Sequence, residues 1–273
     1  MKKSRIIISL ALIICMSLMM VACGGGEKEK TSLDVVKESG TLKIGTEGAW
    51  PPFIFNDEKN NNELVGFEIE WGKAIAEQLG VKADFNVSSQ WDGVIAGLDA
   101  KRYDCVMCAV APTDYSSDKY SMSDPYYPFR TVIVASKDRD DINKLSDLKG
   151  KVLGNSPQGI WGQIAKDSGA EVRNMNLTQA MDNIETGRID AHMNAELSIL
   201  DYYNAKPDAG SEIKFYYEPE DPNEEKVIIL FNKNNDELMA EVNKAITTLL
   251  NDGTAEKLSE KYFGKNIYEG WEQ

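Results

Sequence analysis

The chain has 273 residues, of which 42% are hydrophobic and 27% are charged, so it is long enough to bury a core in one large domain or two small ones. Its formal net charge is −14 at pH 7, which argues against nucleic acids and anionic lipid surfaces as partners. The same charge favours cationic or zwitterionic ligands, although a solvated acidic surface accounts for most of such a balance.

The first 22 residues have the pattern of a targeting segment. A basic start, MKKSR, precedes 17 residues without a charge, and this apolar run ends at Met-Val-Ala-Cys, residues 20–23. The order resembles a bacterial lipoprotein signal, in which Cys23 becomes the lipidated first residue of the mature chain, although Met20 stands where leucine is usual. The alternative is an uncleaved single-pass anchor, since such a run is just long enough to span a bilayer.

Residues 23–32, glycines followed by mixed charges, predict a flexible tether. Under both interpretations the rest of the chain is held outside the cytoplasmic membrane, and a diacyl anchor would give a stable two-chain attachment. Removal of residues 1–22 takes away three basic residues and no acidic one, which lowers the net charge from −14 to −17. No second apolar span follows, which argues against a channel or transporter.

From residue 41 onwards, strand and helix patterns alternate. Strands are predicted over 41–45, 82–87 and 104–110, and helices with one apolar face over 66–80 and 88–100. This order predicts helices packed on a mainly parallel sheet.

A second unit of the same kind follows an apolar strand pattern over 131–137. Its strands are predicted over 151–155, 171–175 and 189–194, and its helices over 159–168, 178–187 and 195–204. A strand over 226–233 then precedes two amphipathic helices over 235–253 and 254–264. The repeated order predicts two α/β lobes, joined by two crossings near 131–137 and 226–233.

Motifs of catalysis and cofactor binding are absent from the sequence. It contains no G-x-G-x-x-G, Walker A or G-x-S-x-G pattern, and its single histidine, His192, lies in a strand pattern that indicates a structural role. Cys105 and Cys108 have C-x-x-C spacing, but on a strand they face opposite sides, which favours two buried hydrophobes over a redox or zinc pair. We therefore expect a binding protein without cofactor or metal, and not an enzyme.

Several segments, in order along the chain, carry a family likeness. They include IGTEGAWPPFIF (44–55), ELVGFEIEWGKAIAEQLG (63–80), SMSDPYY (121–127) and LNDGTAEKLSEKYFG (250–264). These are similar to the first ligand loop, the signature helix, the F-S-x-P-Y-Y segment and the C-terminal ending of the extracellular substrate-binding proteins of amino-acid ABC importers. The likeness covers roughly residues 35–265.

This resemblance implies the type II periplasmic-binding-protein fold, an α/β fold of two lobes joined by two hinge strands, with the ligand cleft between them. Lobe 1 would comprise residues 33–133 with 229–273, and lobe 2 residues 134–228. Hinge closure on a small ligand is then the mechanism. The resemblance also implies delivery of an amino acid or amino-acid derivative to an ABC importer permease. With the lipoprotein-like start at residues 1–23, we expect a lipid-anchored monomer on the extracellular face of the cytoplasmic membrane.

The resemblance further implies ligand-binding residues. Trp50 matches the aromatic position that packs on the ligand, and Glu47 a nearby polar position. The family loop T-x-x-R grips the ligand carboxylate with its arginine, whereas here Thr113 is present and Ser116 replaces the arginine. The full set of candidates is Glu47, Trp50, Phe53, Trp91, Cys108, Ala109, Ala111, Thr113, Ser116, Arg130, Gly159, Ile160, Trp161, Asn194 and Glu196.

In the second lobe, the serine or threonine that helps to hold the carboxylate would fall near Gly159 or Ile160. The aspartate that pairs with the α-ammonium group would fall at Ala195, or at Asn194 or Glu196 if the register slips by one residue. The loss of such a charged partner in a closed cleft is worth about 2–5 kcal/mol. The grip on an α-amino acid is therefore incomplete.

Two hypotheses follow from this departure. Either another cation replaces the arginine, with Arg130 as the candidate against a plain surface or interlobe role, or the ligand lacks a standard α-amino-acid head. The aromatic residues Trp50, Phe53, Trp91, Trp161 and Tyr126 suit a cationic or aromatic metabolite. Trp91 also fits a core position on its helix.

Two rivals belong to other functional classes. One is an enzyme on the same scaffold, resembling the cyclohexadienyl type of dehydratase, for which Glu47 or Asp114 would be the acid or base. The other is a sensory ligand-binding domain, which the absence of a signalling segment disfavours.

Overall fold

The computed structural model describes residues 30–112 and 117–271. Predictions for the signal peptide, for most of the tether and for Cys23 lie outside these residues, as do those for Thr113, Asp114 and Ser116. In the described ranges, no helix has both the length and the apolar character needed to cross a membrane.

Every helix and strand predicted within these ranges forms, with ends that move by a few residues. The strands are β1 (Thr41–Thr46), β2 (Ala49–Trp50), β3 (Ile54–Asp57), β4 (Glu63–Val65), β5 (Lys82–Val87), β6 (Cys105–Val110), β7 (Tyr120–Met122), β8 (Tyr127–Pro128), β9 (Thr131–Ser136), β10 (Val152–Gly154), β11 (Glu171–Arg173), β12 (Ala191–Ala195), β13 (Ser211–Tyr216) and β14 (Lys226–Asn232). The helices are α1 (Ser32–Ser39), α2 (Phe67–Gln78), α3 (Trp91–Asp99), α4 (Ile160–Asp167), α5 (Leu177–Glu185), α6 (Glu196–Ala205), α7 (Asp236–Asn251) and α8 (Thr254–Phe263). Helix α1, β2–β4, β7, β8 and β13 were not predicted.

The first sheet has the strand order β5–β1–β6–β14–β7, and β8 also pairs with β14. Strand β1 runs parallel to β5 and β6, with Ile44 opposite Phe85 and Cys105, whereas β14 runs antiparallel to β6. The parallel pairs follow from the helical crossovers α2 and α3, as the alternation of patterns predicted. Because parallel strands end at one edge, the carboxyl ends of β1, β5 and β6 lie together.

The second sheet has the order β11–β10–β12–β9–β13. Strand β10 is parallel to β11 and β12, and β9 is antiparallel to both β12 and β13. We call the first sheet with its helices lobe 1, and the second sheet with α4–α6 lobe 2. The boundaries predicted after residues 133 and 228 fall inside β9 and β14 and stay a prediction.

Two chain crossings join the lobes, one between β8 and β9 and one between β13 and β14. Backbone hydrogen bonds connect these crossings directly. The Phe129 N–H donates to the carbonyl oxygen of Glu225 at 3.0 Å, and the Tyr217 N–H donates to that of Thr131 at 2.9 Å. The crossings therefore lie side by side as one bonded ribbon.

A small third sheet, β2–β3–β4, follows β1 where the sequence predicts only a turn. Trp50 pairs with Ile54 across the bend made by Pro51 and Pro52, whose connecting peptide bond is cis. Strands as short as β2 leave no alternating pattern in the sequence, which is why they were missed. This sheet carries the Trp50 side chain towards lobe 2.

The turn that starts α2 depends on a glycine. Gly66 has φ 134°, and a Cβ atom there would collide with the backbone carbonyl oxygen of Phe53. We expect Gly66→Ala to lower the free energy of unfolding by about 2–3 kcal/mol, as measured by urea unfolding. Gly80, at φ 72° with open space around it, is the matched control, and Gly80→Ala should lose only about 1 kcal/mol. Equal losses would contradict the collision.

Candidate functional site

A cavity of about 900 Å³, counting the space open to solvent, lies between the two lobes. Most of its walls come from residues at or just after the carboxyl ends of strands in both sheets, the position where open α/β sheets bind ligands. Lobe 1 and the first crossing contribute Glu47, Ala49, Trp50, Ser89, Gln90, Trp91, Cys108, Ala109 and Phe129. Lobe 2 contributes Asn155, Ser156, Gly159, Ile160, Trp161, Asn174, Met175, Asn176, Leu177, His192 and Asn194.

Nine of the predicted ligand-binding residues line this cavity, and their contribution to ligand binding stays a prediction. They are Glu47, Trp50, Trp91, Cys108, Ala109, Gly159, Ile160, Trp161 and Asn194. Four further candidates, Phe53, Ala111, Arg130 and Glu196, do not belong to the described lining. The sequence did not predict the polar and small lining residues of lobe 2. Most of them directly follow β10 and β11, so their position after a strand could have indicated them.

Arg130 lies at the crossing between the lobes and not in the cavity. Its guanidinium group is 4.0 Å from the Glu196 carboxylate and 4.1 Å from the centre of the Tyr216 ring, and its side chain is 57% exposed. Glu196 also accepts a hydrogen bond from the Tyr216 hydroxyl at 3.1 Å. Arg130 and Glu196 therefore interact with each other and with one aromatic ring on the outside of lobe 2.

Phe53 and Ala111 lie behind the cavity wall. Phe53 is fully buried and stacks on Trp50 with ring centres 4.6 Å apart, so it supports the indole from below. Ala111 is buried just after β6. Tyr126, predicted as a further aromatic candidate, is also fully buried and contacts Trp71 in the core of lobe 1.

The carboxyl group of Glu47 directly follows β1 and faces the cavity. Its burial, and then the nearby charge of Asp92, raise the pKa of Glu47 from 4.5 to about 7. No arginine or lysine lines the cavity in the part of the chain that the structure describes. Among the described residues that line the cavity, none is a basic residue that could pair with the Glu47 carboxyl group.

Three tryptophan side chains line the cavity. Trp50 of lobe 1 and Trp161 of lobe 2 meet edge to face, with ring centres 6.2 Å apart. The Trp161 Nε1–H group donates to the Thr131 hydroxyl at 3.0 Å, which fixes the orientation of this ring. Trp91, the first residue of α3, adds a third indole. Such faces attract organic cations and flat rings.

A buried acid supports the floor of the cavity at Ala109. Glu68 of α2 is 1% exposed and accepts hydrogen bonds from the Ala109 N–H at 2.8 Å, from the Tyr127 hydroxyl at 2.6 Å and from the Tyr126 hydroxyl. Burial raises the pKa of Glu68, although these three bonds act in the opposite direction. Ala109 has φ 46°, so Glu68 holds a residue in a conformation that only glycine adopts easily.

Hydrogen bonds also connect the lobes across the cavity. The Trp50 Nε1–H donates to Asn194 Oδ1 at 3.0 Å, Asn194 Nδ2 lies 2.9 Å from His192 Nε2, and His192 Nδ1 contacts the Gly154 carbonyl oxygen. Beside them, the Asn155 side chain bonds both to the carbonyl and to the N–H of Met193. The amides of β10 and β12 thus form an ordered polar wall.

Strand β6 carries two cysteines, of which Cys108 lines the cavity. Cys105 and Cys108 are both buried, and burial raises the pKa of both thiols well above the ordinary value. Within residues 30–112 and 117–271, no group of three or more His, Cys, Asp or Glu side chains is arranged to hold a metal ion.

Comparison with known proteins adds independent observations. The model of the bacterial extracellular solute-binding proteins, family 3, matches residues 42–265. The L-cystine-binding protein TcyA of Bacillus subtilis (strain 168) is 34% identical over 268 residues, which cover 94% of this chain and 97% of that protein. The "Probable amino-acid ABC transporter-binding protein" of Haemophilus influenzae is 34% identical over 235 residues, 86% of this chain and 89% of that protein. An ancestral arginine-binding protein bound to arginine superposes with a TM-score of 0.74 at 37% identity, and the match covers 82% of this chain and 99% of that one.

These matches confirm the predicted two-lobed α/β fold with its hinge strands and cleft, and the predicted role in solute transport by an ABC importer. The proteins named in the comparison are binding proteins. The matched range contains every lining residue of the cavity and all of both lobes except α1 and the first residue of β1. The chain therefore belongs to the bacterial extracellular solute-binding proteins, family 3.

Proposed function

We propose that the protein captures a small solute with a cationic group, an amino acid or amino-acid derivative, and delivers it to an ABC importer. The observation that carries this proposal is the Glu47 carboxyl group, held in a cavity of indoles without a basic residue in the described lining. A buried carboxylate is unfavourable unless a cation meets it, and the ligand would supply that cation. Trp50 and Trp161 would then pack on the remainder of the ligand.

The ligand carboxylate is the second element of the proposal. Ser116 replaces the family arginine, and Arg130 is engaged with Glu196 outside the cavity. The asparagines of lobe 2 offer neutral donors, which bind a carboxylate more weakly than a bidentate arginine does. Within this class we therefore expect derivatives whose carboxylate is absent or modified to bind most tightly, in line with the second hypothesis drawn from the sequence, a ligand without a standard α-amino-acid head.

Matched compounds test the cation and the carboxylate separately. Arginine, agmatine and citrulline differ by the loss of the carboxylate or of the side-chain cation, and lysine, cadaverine and norleucine form a parallel series; citrulline and norleucine keep the α-ammonium group. We expect thermal-shift and calorimetric titrations to rank agmatine or cadaverine at or above the amino acid, and citrulline and norleucine far below. Binding of citrulline as tight as that of arginine, and unchanged in Glu47→Gln, would contradict the proposed role of Glu47.

The pH dependence of binding follows from the pKa of Glu47, which is about 7 in the ligand-free protein. A cation binds the ionised carboxylate, so binding releases the proton that Glu47 carries at lower pH. We expect the dissociation constant of the tightest of the six compounds to fall about tenfold between pH 6 and pH 8. Calorimetric titration at both values measures the change, and an affinity that is independent of pH would contradict it.

We also propose that the protein is a monomer attached by lipid at Cys23 to the extracellular face of the cytoplasmic membrane. The signal-like pattern of residues 1–23 supports this attachment. Replacement Cys23→Ser should release the protein from the membrane fraction. Membrane attachment that persists in this variant would favour the single-pass anchor.

A binding role without catalysis completes the proposal. Glu47, with a pKa of about 7, is the group in the cavity that an enzyme of the dehydratase type could use as acid or base. Incubation of the purified protein with prephenate or arogenate should leave both compounds unchanged. Turnover that disappears in Glu47→Gln would overturn the assignment as a binding protein.

A further inference from the structure

The chain of hydrogen bonds from Trp50 through Asn194 and His192 to Gly154 runs in one direction, from donor to acceptor, because the groups at its two ends each have one role. An indole N–H only donates, and a backbone carbonyl oxygen only accepts. Between Trp50 and Gly154, Asn194 must therefore turn its amide oxygen towards Trp50 and its amide nitrogen towards His192. His192 must accept at Nε2 and donate from Nδ1, so its ring is neutral with the proton on Nδ1.

We propose that His192 is a positioning residue of the cavity: it holds the Asn194 amide with its oxygen towards lobe 1, and that oxygen docks Trp50 when the lobes close. His192 and Asn194 are 2% and 3% exposed, and they face the same side of β12, two residues apart. Trp50 comes from the other lobe. The contact involves no ligand atom, so the proposal goes beyond the proposed function and does not depend on the ligand.

Two contacts select the orientation of the Asn194 amide: the acceptor at His192 Nε2, 2.9 Å from Asn194 Nδ2, and the Ala195 N–H, which donates to Asn194 Oδ1 at 2.8 Å. In the flipped orientation the amide nitrogen would face the Trp50 N–H, and two donors would meet. Burial lowers the pKa of His192 to about 4, while its bond to Gly154 acts in the opposite direction. The acceptor is therefore present at neutral pH. Loss of one such oriented bond should shift the equilibrium between closed and open lobes about tenfold.

The tautomer of His192 is directly measurable, because the chain contains one histidine. In the full-length protein labelled with ¹⁵N-histidine, long-range ¹H–¹⁵N spectra at pH 7 should show a neutral ring with the proton on Nδ1. A proton on Nε2, or a doubly protonated ring, would overturn the proposal. This measurement needs no substitution, so it does not depend on the folding of a variant.

Paired substitutions separate positioning from packing. Glutamine can donate to Gly154 and accept from Asn194 as the neutral histidine does, whereas phenylalanine preserves the ring and loses both bonds. We expect His192→Phe to reduce the closed population about tenfold and His192→Gln to restore most of it. If the ring serves only to fill space, phenylalanine will replace it better than glutamine, and the proposal fails.

The closed population is measured from distances between spin labels, one on each lobe, in the ligand-free protein. Glu77→Cys on α2 and Glu185→Cys on α5 supply exposed attachment points, and Cys105 and Cys108 are buried. Trp50→Phe removes the indole N–H and keeps a ring on Phe53, so it should lower the closed population as His192→Phe does. The double variant should be no more open than either single variant. Additive effects, or no closed population in the unmodified chain, would overturn the proposal.

Discussion

Replacement of Glu47 by glutamine is expected to stabilise the ligand-free protein and, in the same variant, to weaken the binding of a cationic solute. Burial and Asp92 raise the pKa of Glu47 from 4.5 to about 7. Between these two values the folded protein carries a proton that the unfolded chain has already released. Because the folded state binds more protons, the free energy of unfolding falls as pH rises through this window.

Glutamine has nearly the same size as glutamate and carries no charge, so the free energy of unfolding of the variant does not fall with pH in this way. A pKa raised this far corresponds to about 3 kcal/mol once the pH exceeds both values. Allowing for the partial exposure of Glu47, we expect Glu47→Gln to gain on the order of 2 kcal/mol at pH 8 and almost nothing at pH 4. Removal of the charge should at the same time weaken cation binding about a hundredfold.

Urea unfolding at pH 4 and pH 8 measures the gain in stability, and calorimetric titration with the tightest compound of the matched series measures the loss of binding. The exposed Glu77→Gln is the control, since it removes the same charge from the outer face of α2. The two effects have opposite signs, so a general disturbance of the fold cannot produce them together. If Glu47→Gln is less stable than the unmodified protein at pH 8, the ionised Glu47 side chain does not destabilise the folded state, and the prediction is wrong.

Replacement of Glu68 by leucine should have the larger effect on stability. Three donors, the Ala109 N–H and the hydroxyls of Tyr126 and Tyr127, would lose their acceptor inside lobe 1. Each buried donor without a partner loses about 1–3 kcal/mol. After allowance for the apolar burial that leucine gains, we expect a total loss on the order of 3–5 kcal/mol.

Glutamine at position 68 keeps one acceptor oxygen, so Glu68→Gln should lose clearly less than Glu68→Leu. Tyr127→Phe, which removes one donor and leaves the acid in place, gives a further comparison. Urea unfolding measures all three variants. If leucine is tolerated as well as glutamine, the hydrogen bonds of Glu68 contribute little, and the conformation of Ala109 must be held by other contacts.

The fold could be predicted from the sequence because the patterns that indicate its strands and helices are local and repeated. The strand patterns at 41–45 and 104–110 and the apolar helix face between them predict a parallel sheet with its crossover. Strands β2 and β8 are two residues long, and their pairing depends on partners that only the fold brings together. No periodic pattern marks such strands.

The candidate site could be predicted only in part, because some of its contacts join residues that lie far apart in the sequence. Glu47 and Trp50 follow the first strand. Both the family likeness and the tendency of α/β sheets to bind ligands at the carboxyl ends of strands predict a site there. Arg130, the predicted replacement cation, lies next to Glu196 at the crossing, and its part in ligand binding stays a prediction. His192 was interpreted as a structural strand residue, and its link to Trp50 spans 142 positions of sequence that no local pattern connects.

The bonded ribbon formed by the two crossings has a mechanical consequence. Two separate flexible links would let the lobes twist and slide as well as bend. The bonds from Phe129 to Glu225 and from Tyr217 to Thr131 hold the links in register, so they resist twist and shear while leaving rotation about one axis. We therefore expect the lobes to move mainly by rotation about one axis, so that each closure brings the same atoms of the two lobes together.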